Sequence, residues 1–235
     1  MKPLIVANWK CNPKTLTEAK ELFDGVKREV KSIKSIETVI CPPFVWLSKL
    51  KGLKLGGQNC YCEECGPYTG EISPLMLKDL KCKYVIIGHS ERRIHLQESD
   101  EMINKKIKAT LTAGLIPILC IGEKEGEDFN QIIEQQLNID LLDIPKPDLK
   151  KIIVAYEPIW AISTSGGEIC SKEQAKIALE FIKNKFHGKI IYGGSVDSKI
   201  INYYVGVGYG GALVGVASLK VDEFINTVKV AEQNV

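Results

Sequence analysis

Short apolar runs alternate with helix-patterned segments along this whole chain, about eight times over. The runs are Leu4 to Ala7, Thr38 to Cys41, Leu53 to Gln58, Tyr84 to Gly88, Ile116 to Cys120, Ile152 to Tyr156, Lys189 to Tyr192 and Ala212 to Gly215. Most are apolar throughout rather than every second residue, which predicts strands buried on both faces, as in a parallel sheet. Pro42-Pro43 stops the second run, and Pro117 sits near the start of the fifth, where it costs least. Between the runs, apolar residues recur at helical spacing. Ala19, Leu22, Phe23, Val26 and Val30 form one stripe, and Ile103, Ile107 and Leu111 another. Phe129, Ile132, Ile133 and Leu137 mark a third, Ala175, Ala178, Leu179, Ile182 and Phe186 a fourth, and Val221, Phe224, Ile225 and Val228 a fifth. Thr15 with Glu18 and Ser171 with Gln174 have the spacing of capping boxes, which start helices. No linker, low-complexity tract or composition break divides the chain. The pattern predicts one domain over 1–235, a closed (β/α)8 barrel of parallel strands inside an outer ring of helices, rather than an open sheet.

The charge balance narrows the function classes. Thirty-one Lys and Arg against 29 Asp and Glu give a net charge of +2. That argues against a nucleic-acid surface. No apolar run approaches the roughly 20 residues of a membrane span. The N-terminus runs straight into a strand without a signal-peptide layout, so a cytoplasmic protein is expected. Its eight Cys then read as reduced thiols. Cys60, Cys62 and Cys65 cluster without a matching second half, so no metal site is expected there.

The candidate chemistry lies just past the strand ends. Glu157 closes the sixth run, and Pro158 holds it extended and bars a helix from starting there. A carboxylate at that end of a parallel strand is a candidate base, although an ion-paired structural Glu fits the same stretch. Lys10 follows the first run. His89 follows the fourth and opens the polar segment Ser90-Glu91-Arg92-Arg93, where a helix N-terminus would disfavour imidazolium. Gly193-Gly194-Ser195 and Gly215-Val216-Ala217 follow the seventh and eighth. Turns there point N–H groups at an anion. In a barrel these ends share one face, which would gather a base, an uncharged electrophile, a cation and a phosphate cradle.

Six of these strand-end segments resemble those of the triosephosphate isomerase family. They are Ala7-Asn8-Trp9-Lys10-Cys11-Asn12, Gly88-His89-Ser90-Glu91-Arg92-Arg93, Cys120-Ile121-Gly122-Glu123, Ala155-Tyr156-Glu157-Pro158-Ile159-Trp160-Ala161, Tyr192-Gly193-Gly194-Ser195-Val196 and Leu213-Val214-Gly215. Gln58-Asn59 and Thr69-Gly70-Glu71-Ile72-Ser73 are similar to the family's subunit-contact loop. The resemblance covers essentially the whole chain. It implies a TIM barrel that interconverts glycerone phosphate and D-glyceraldehyde 3-phosphate through an enediol(ate). Glu157 would move the carbon-bound proton, neutral His89 would polarise the carbonyl, and Lys10 would stabilise negative charge. Asn8, Lys10, Ser163, Ser195, Gly215 and Val216 would bind substrate, with Glu91 and Cys120 in support. No metal or organic cofactor is implied, because proton transfer needs only positioned acids, bases and dipoles. The resemblance also implies a homodimer through the 58–73 loop, with Thr69 reaching the partner's site and a tetramer as the larger alternative. Thiol modification of Cys11 or Cys65 would then dissociate the dimer.

The chain departs from the family pattern in places. The segment after Trp160 carries Ser163 and Ser165 where the family has Gly, and Gly166 where it has Lys. Val216 replaces a Gly, Gly210 an Asp, and Leu96-Gln97 a Phe-Gly pair. The chain is also shorter than typical. These departures leave two alternatives open: a catalytically silent barrel serving as a binding protein, or another phosphate-binding barrel enzyme.

Overall fold

The computed structural model describes residues 2–162 and 169–233. Its strands are β1 (Leu4–Asn8), β2 (Glu37–Cys41), β3 (Lys54–Gly57), β4 (Cys82–Ile87), β5 (Ile116–Ile121), β6 (Ile153–Tyr156), β7 (Lys189–Tyr192) and β8 (Gly211–Val214). Interleaved with them are α1 (Leu16–Val30), α2 (Phe44–Leu47), α3 (Pro74–Asp79), α4 (Ser90–His95), α5 (Asp100–Thr112), α6 (Phe129–Asp140), α7 (Lys146–Leu149), α8 (Lys172–Lys185), α9 (Ile201–Gly206) and α10 (Val221–Glu232). The strands pair in sequence order, every pair is parallel, and β8 returns to β1 to close the barrel.

The two-residue period of each strand divides the core in two. Leu4, Val6, Val39, Cys41, Tyr84, Ile86, Ile118, Cys120, Ile153, Ala155, Ile191 and Leu213 fill the interior of the barrel. Their neighbours in sequence, such as Ile5, Ile40, Val85, Leu119 and Val154, face out and pack against the helices. Both faces are therefore dry, which is why the runs are apolar throughout. A buried Val, Leu or Ile stabilises by about 1.5–3 kcal/mol, so a polar residue on either face stands out.

The helical stripes face the sheet as the spacing requires. All five apolar positions of the α1 stripe are buried, as are Ile103 and Ile107 of α5. Both capping boxes form: Thr15 accepts from the Glu18 N–H and Ser171 from the Gln174 N–H, with each helix's third residue bonding back.

Candidate active site

The alternation that fills the barrel also aims the site. On β1 the inner face runs Leu4, Val6, Asn8, and the same count past β6 runs Ile153, Ala155, Glu157. Asn8 and Glu157 are accordingly buried at the carboxyl mouth, 5% and 3% exposed. Gly193 and Gly215 fall on the inner face above Ile191 and Leu213. They carry no side chain, and a Cβ on Gly215 would lie 3.6 Å from Lys10 Cε. The result is a cavity of about 400 Å3, lined among others by Asn8, Lys10, His89, Glu157, Ser195 and Gly215.

His89 breaks the count by one residue, and Gly88 is the reason. Gly88 adopts φ +70°, a left-handed conformation that glycine enters without a Cβ clash. The chain turns there, and His89 becomes the residue capping α4. Its Nδ1 accepts the Glu91 N–H at 3.2 Å, while Nε2 lies 3.1 Å from Glu157 Oε1. An N–H facing Nδ1 leaves the ring proton on Nε2, so His89 donates to Glu157. Ser90 Oγ donates to the same carboxylate oxygen at 3.2 Å. Glu157 Oε2 is buried and accepts no hydrogen bond among the described residues.

The electrostatics follow from this pairing. Burial pulls the His89 pKa down, but the Glu157 carboxylate outweighs it and raises the ring above its ordinary value. Burial pushes Glu157 up in turn, and His89, Lys10 and Ser90 outweigh that and hold the carboxyl low. Rotation of Glu157 away from His89 would remove the strongest group favouring imidazolium. Burial and the Glu91 N–H would remain, and both favour the neutral ring.

Lys10 is fixed from both ends. Its Nζ meets Glu91 Oε1 at 2.5 Å. Its backbone adopts φ 51°, a costly region for a side-chain-bearing residue. Gln58 Nε2 holds that backbone by donating to the carbonyls of Lys10 and Cys41, each at 2.8 Å. The Lys10 N–H donates to Asn8 Oδ1 at 3.0 Å. Cys120 lies on the inner face beneath Glu157, and burial holds its thiol protonated, with the carboxylate adding to the effect.

The residues expected to cradle a phosphate are only partly arranged for it. Gly215 heads a 3-10 turn, Val216–Leu219, whose first N–H groups have no partner within the turn. Val216 is about half exposed at the rim. Ser195 lines the cavity, but its N–H donates to the Ala161 carbonyl at 3.0 Å. Ser163, Ser165 and Gly166 lie outside the described residues.

Three features went unread in the sequence. Glu123, buried after β5, accepts from Trp160 Nε1 at 2.7 Å and Tyr156 OH at 3.1 Å. It thereby anchors the chain just past Glu157. Gln58 and Ser90 touch Lys10 and Glu157 respectively; both lie in segments that resemble the family, but nothing in the sequence pointed to these contacts. No group of three or more potential metal ligands occurs among the described residues. No helix among them is long and apolar enough to cross a membrane.

Acid–base chemistry on a small anion, run at the carboxyl end of a parallel barrel, is the class of work this arrangement suits. Comparison with known proteins narrows it. A family model described as "Triosephosphate isomerase" matches residues 3–231. A triosephosphate isomerase of Dehalococcoides mccartyi is 44% identical over 253 aligned residues, covering 98% of this chain and 97% of that one. One from Dictyoglomus thermophilum is also 44% identical, covering 97% and 99%. The crystal structure of triosephosphate isomerase from Bartonella henselae superposes with a TM-score of 0.83 at 32% identity, covering 98% and 99%. The chain belongs to the triosephosphate isomerase family.

Proposed function

We propose that the chain works as one barrel domain that interconverts glycerone phosphate and D-glyceraldehyde 3-phosphate, with Glu157 as the base. The family assignment supports the reaction. The contact between His89 Nε2 and Glu157 Oε1 supports the residue roles more than any other observation. Substrate entering the mouth separates the pair. Glu157 turns to the carbon beside the carbonyl and takes its proton, and the C–H electrons form the enediol(ate) double bond. The carbonyl oxygen receives the displaced electrons beside the His89 Nε2–H and the Lys10 ammonium. Glu157 returns its proton to the neighbouring carbon while His89 passes one between the two oxygens. Every proton and electron pair stays within substrate and side chains, so the reaction calls for no redox partner.

Asn8 positions the substrate oxygens, Glu91 holds Lys10, and Cys120 supports Glu157 from below. Ser163, Ser195, Gly215 and Val216 take the phosphate, which requires the Ser195 N–H to leave Ala161. The chain acts as a homodimer through the 58–73 loop. Eight unpaired thiols support a reducing compartment, the cytoplasm. The net charge of +2 supports no nucleic-acid partner.

An assay with glyceraldehyde 3-phosphate, coupled to detection of glycerone phosphate, tests the reading on wild type and Glu157→Gln. Loss of the base is expected to lower kcat at least about 100-fold with little change in KM. Equal rates in both proteins, or none in either, would overturn it.

A further inference from the structure

Arg93 sits in α4 behind the site, its side chain 13% exposed, and among the described residues it touches none of the groups assigned to substrate. Four partners converge on its guanidinium. Nε donates to the Gly88 carbonyl at 2.8 Å and Nη2 to the Cys120 carbonyl at 3.2 Å. Nη2 also meets Asp140 Oδ2 at 2.7 Å, and Nη1 pairs with Asp100.

The two carbonyls are the informative partners. The paired register of β4 and β5 ends at Ile87 and Leu119. Just past it the carbonyls of Gly88 and Cys120 are both acceptors, and two acceptors cannot bond each other. A planar cation with several N–H groups can serve both. The Gly88 carbonyl shares a peptide plane with the His89 nitrogen. The Cys120 carbonyl shares one with Ile121, whose own carbonyl accepts the Glu157 N–H at 2.7 Å. One guanidinium therefore stands a single peptide unit from His89 and two from Glu157. Asp100 begins α5 and Asp140 ends α6, so outer helices hold the cation from the other side. Asp140 has no exposed surface, and among the described residues no other cation pairs with it.

We infer that Arg93, clamped by Asp100 and Asp140, is a positioning residue that sets the spacing of His89 and Glu157 by joining the ends of β4 and β5. The inference rests on the isomerase reading above. A lysine at this position keeps the charge but donates from one point, and cannot reach both carbonyls and both carboxylates at once. Misplacement of reacting groups by about 1 Å can cost about 100-fold in rate.

The test compares wild type, Arg93→Lys and Asp100→Asn. It measures kcat and KM, thermal melting, and the 15N NMR signals of the His89 imidazole. Folded Arg93→Lys is expected to lose about 10- to 100-fold in kcat with KM within about threefold. Its His89 nitrogen shifts should move, because the ring's distance from Glu157 changes. Wild-type kcat and unmoved shifts in folded Arg93→Lys would overturn the inference, as would a change in melting temperature alone. If Arg93→Lys does not fold, Asp100→Asn removes one clamp only and is expected to show a smaller loss in kcat; a wild-type value there overturns it. An inactive wild type would instead sink the isomerase reading, and the imidazole shifts would still judge Arg93.

Discussion

Gly122 shows how closely the site is built. A Cβ at this position would lie 1.9 Å from the Glu157 carbonyl oxygen and 2.6 Å from its carbon, both backbone atoms that cannot swing aside. Gly122→Ala must therefore push the loop after β5 away from the loop after β6, carrying Glu157 with it. The expected result is a loss of about 1–3 kcal/mol in stability and about tenfold or more in kcat. Urea titration and the isomerase assay check the two effects, and unchanged values in both would refute the close approach. The same scale explains which residues were legible. Glu157 and Lys10 stood out because charge is unexpected at the end of an apolar strand. The direct His89–Glu157 contact did not, because the Gly88 turn that re-aims His89 has no signature beyond one glycine. Arg93 read as part of the polar segment that His89 opens; only the fold reveals two carbonyls and two carboxylates around it.

At the scale of elements, the short runs located every strand to within about two residues; most are continuously apolar because both faces of a closed barrel are dry, and β3, Lys-Leu-Gly-Gly, is the weaker exception. The short helices α2, α3, α7 and α9 were not legible, because four to six residues make little more than one turn, too few for an apolar stripe to repeat. Caps were legible, and one makes a direct prediction. Ser171 satisfies the first turn of α8 by accepting the Gln174 N–H at 3.2 Å, and Gln174 returns a bond to the Ser171 N–H at 3.0 Å. α8 follows the segment after Glu157 and packs Ala175, Ala178, Leu179 and Ile182 into the core. Ser171→Ala is expected to cost about 1 kcal/mol and to lower Tm by about 2–4 °C for a chain of this length. A melting curve superimposable on wild type would mean that the cap contributes nothing.

For the molecule as a whole, the surface is informative where the interior is complete. Val45, Leu75, Met76, Ile94 and Leu96 are exposed on α2, α3 and α4 and just past α4, and those elements follow the neighbouring strands β2, β3 and β4. Residues 63–71, between β3 and α3, are exposed throughout, and the Tyr61 and Tyr68 rings meet at a tilt of 46° with centroids 4.6 Å apart. Exposed apolar side chains on three successive βα units, beside an exposed loop, suit burial against a second copy. Cys11 and Cys65 are both exposed in the single chain. Cys11 also adjoins Lys10, whose left-handed backbone depends on Gln58 at the base of the same loop. A dimer through the 58–73 loop would thus cover these thiols and support Lys10 together. Bulk added at either thiol should separate the subunits and, by loosening Lys10, lower the rate in step with the loss of dimer. Alkylation with iodoacetamide, followed by light scattering and the isomerase assay, is expected to show mass falling to that of one chain and activity falling with it. The Cys11→Ser, Cys65→Ser double variant should resist both changes. Fully alkylated protein that kept its dimer mass and its rate would show that neither thiol lies at a subunit contact.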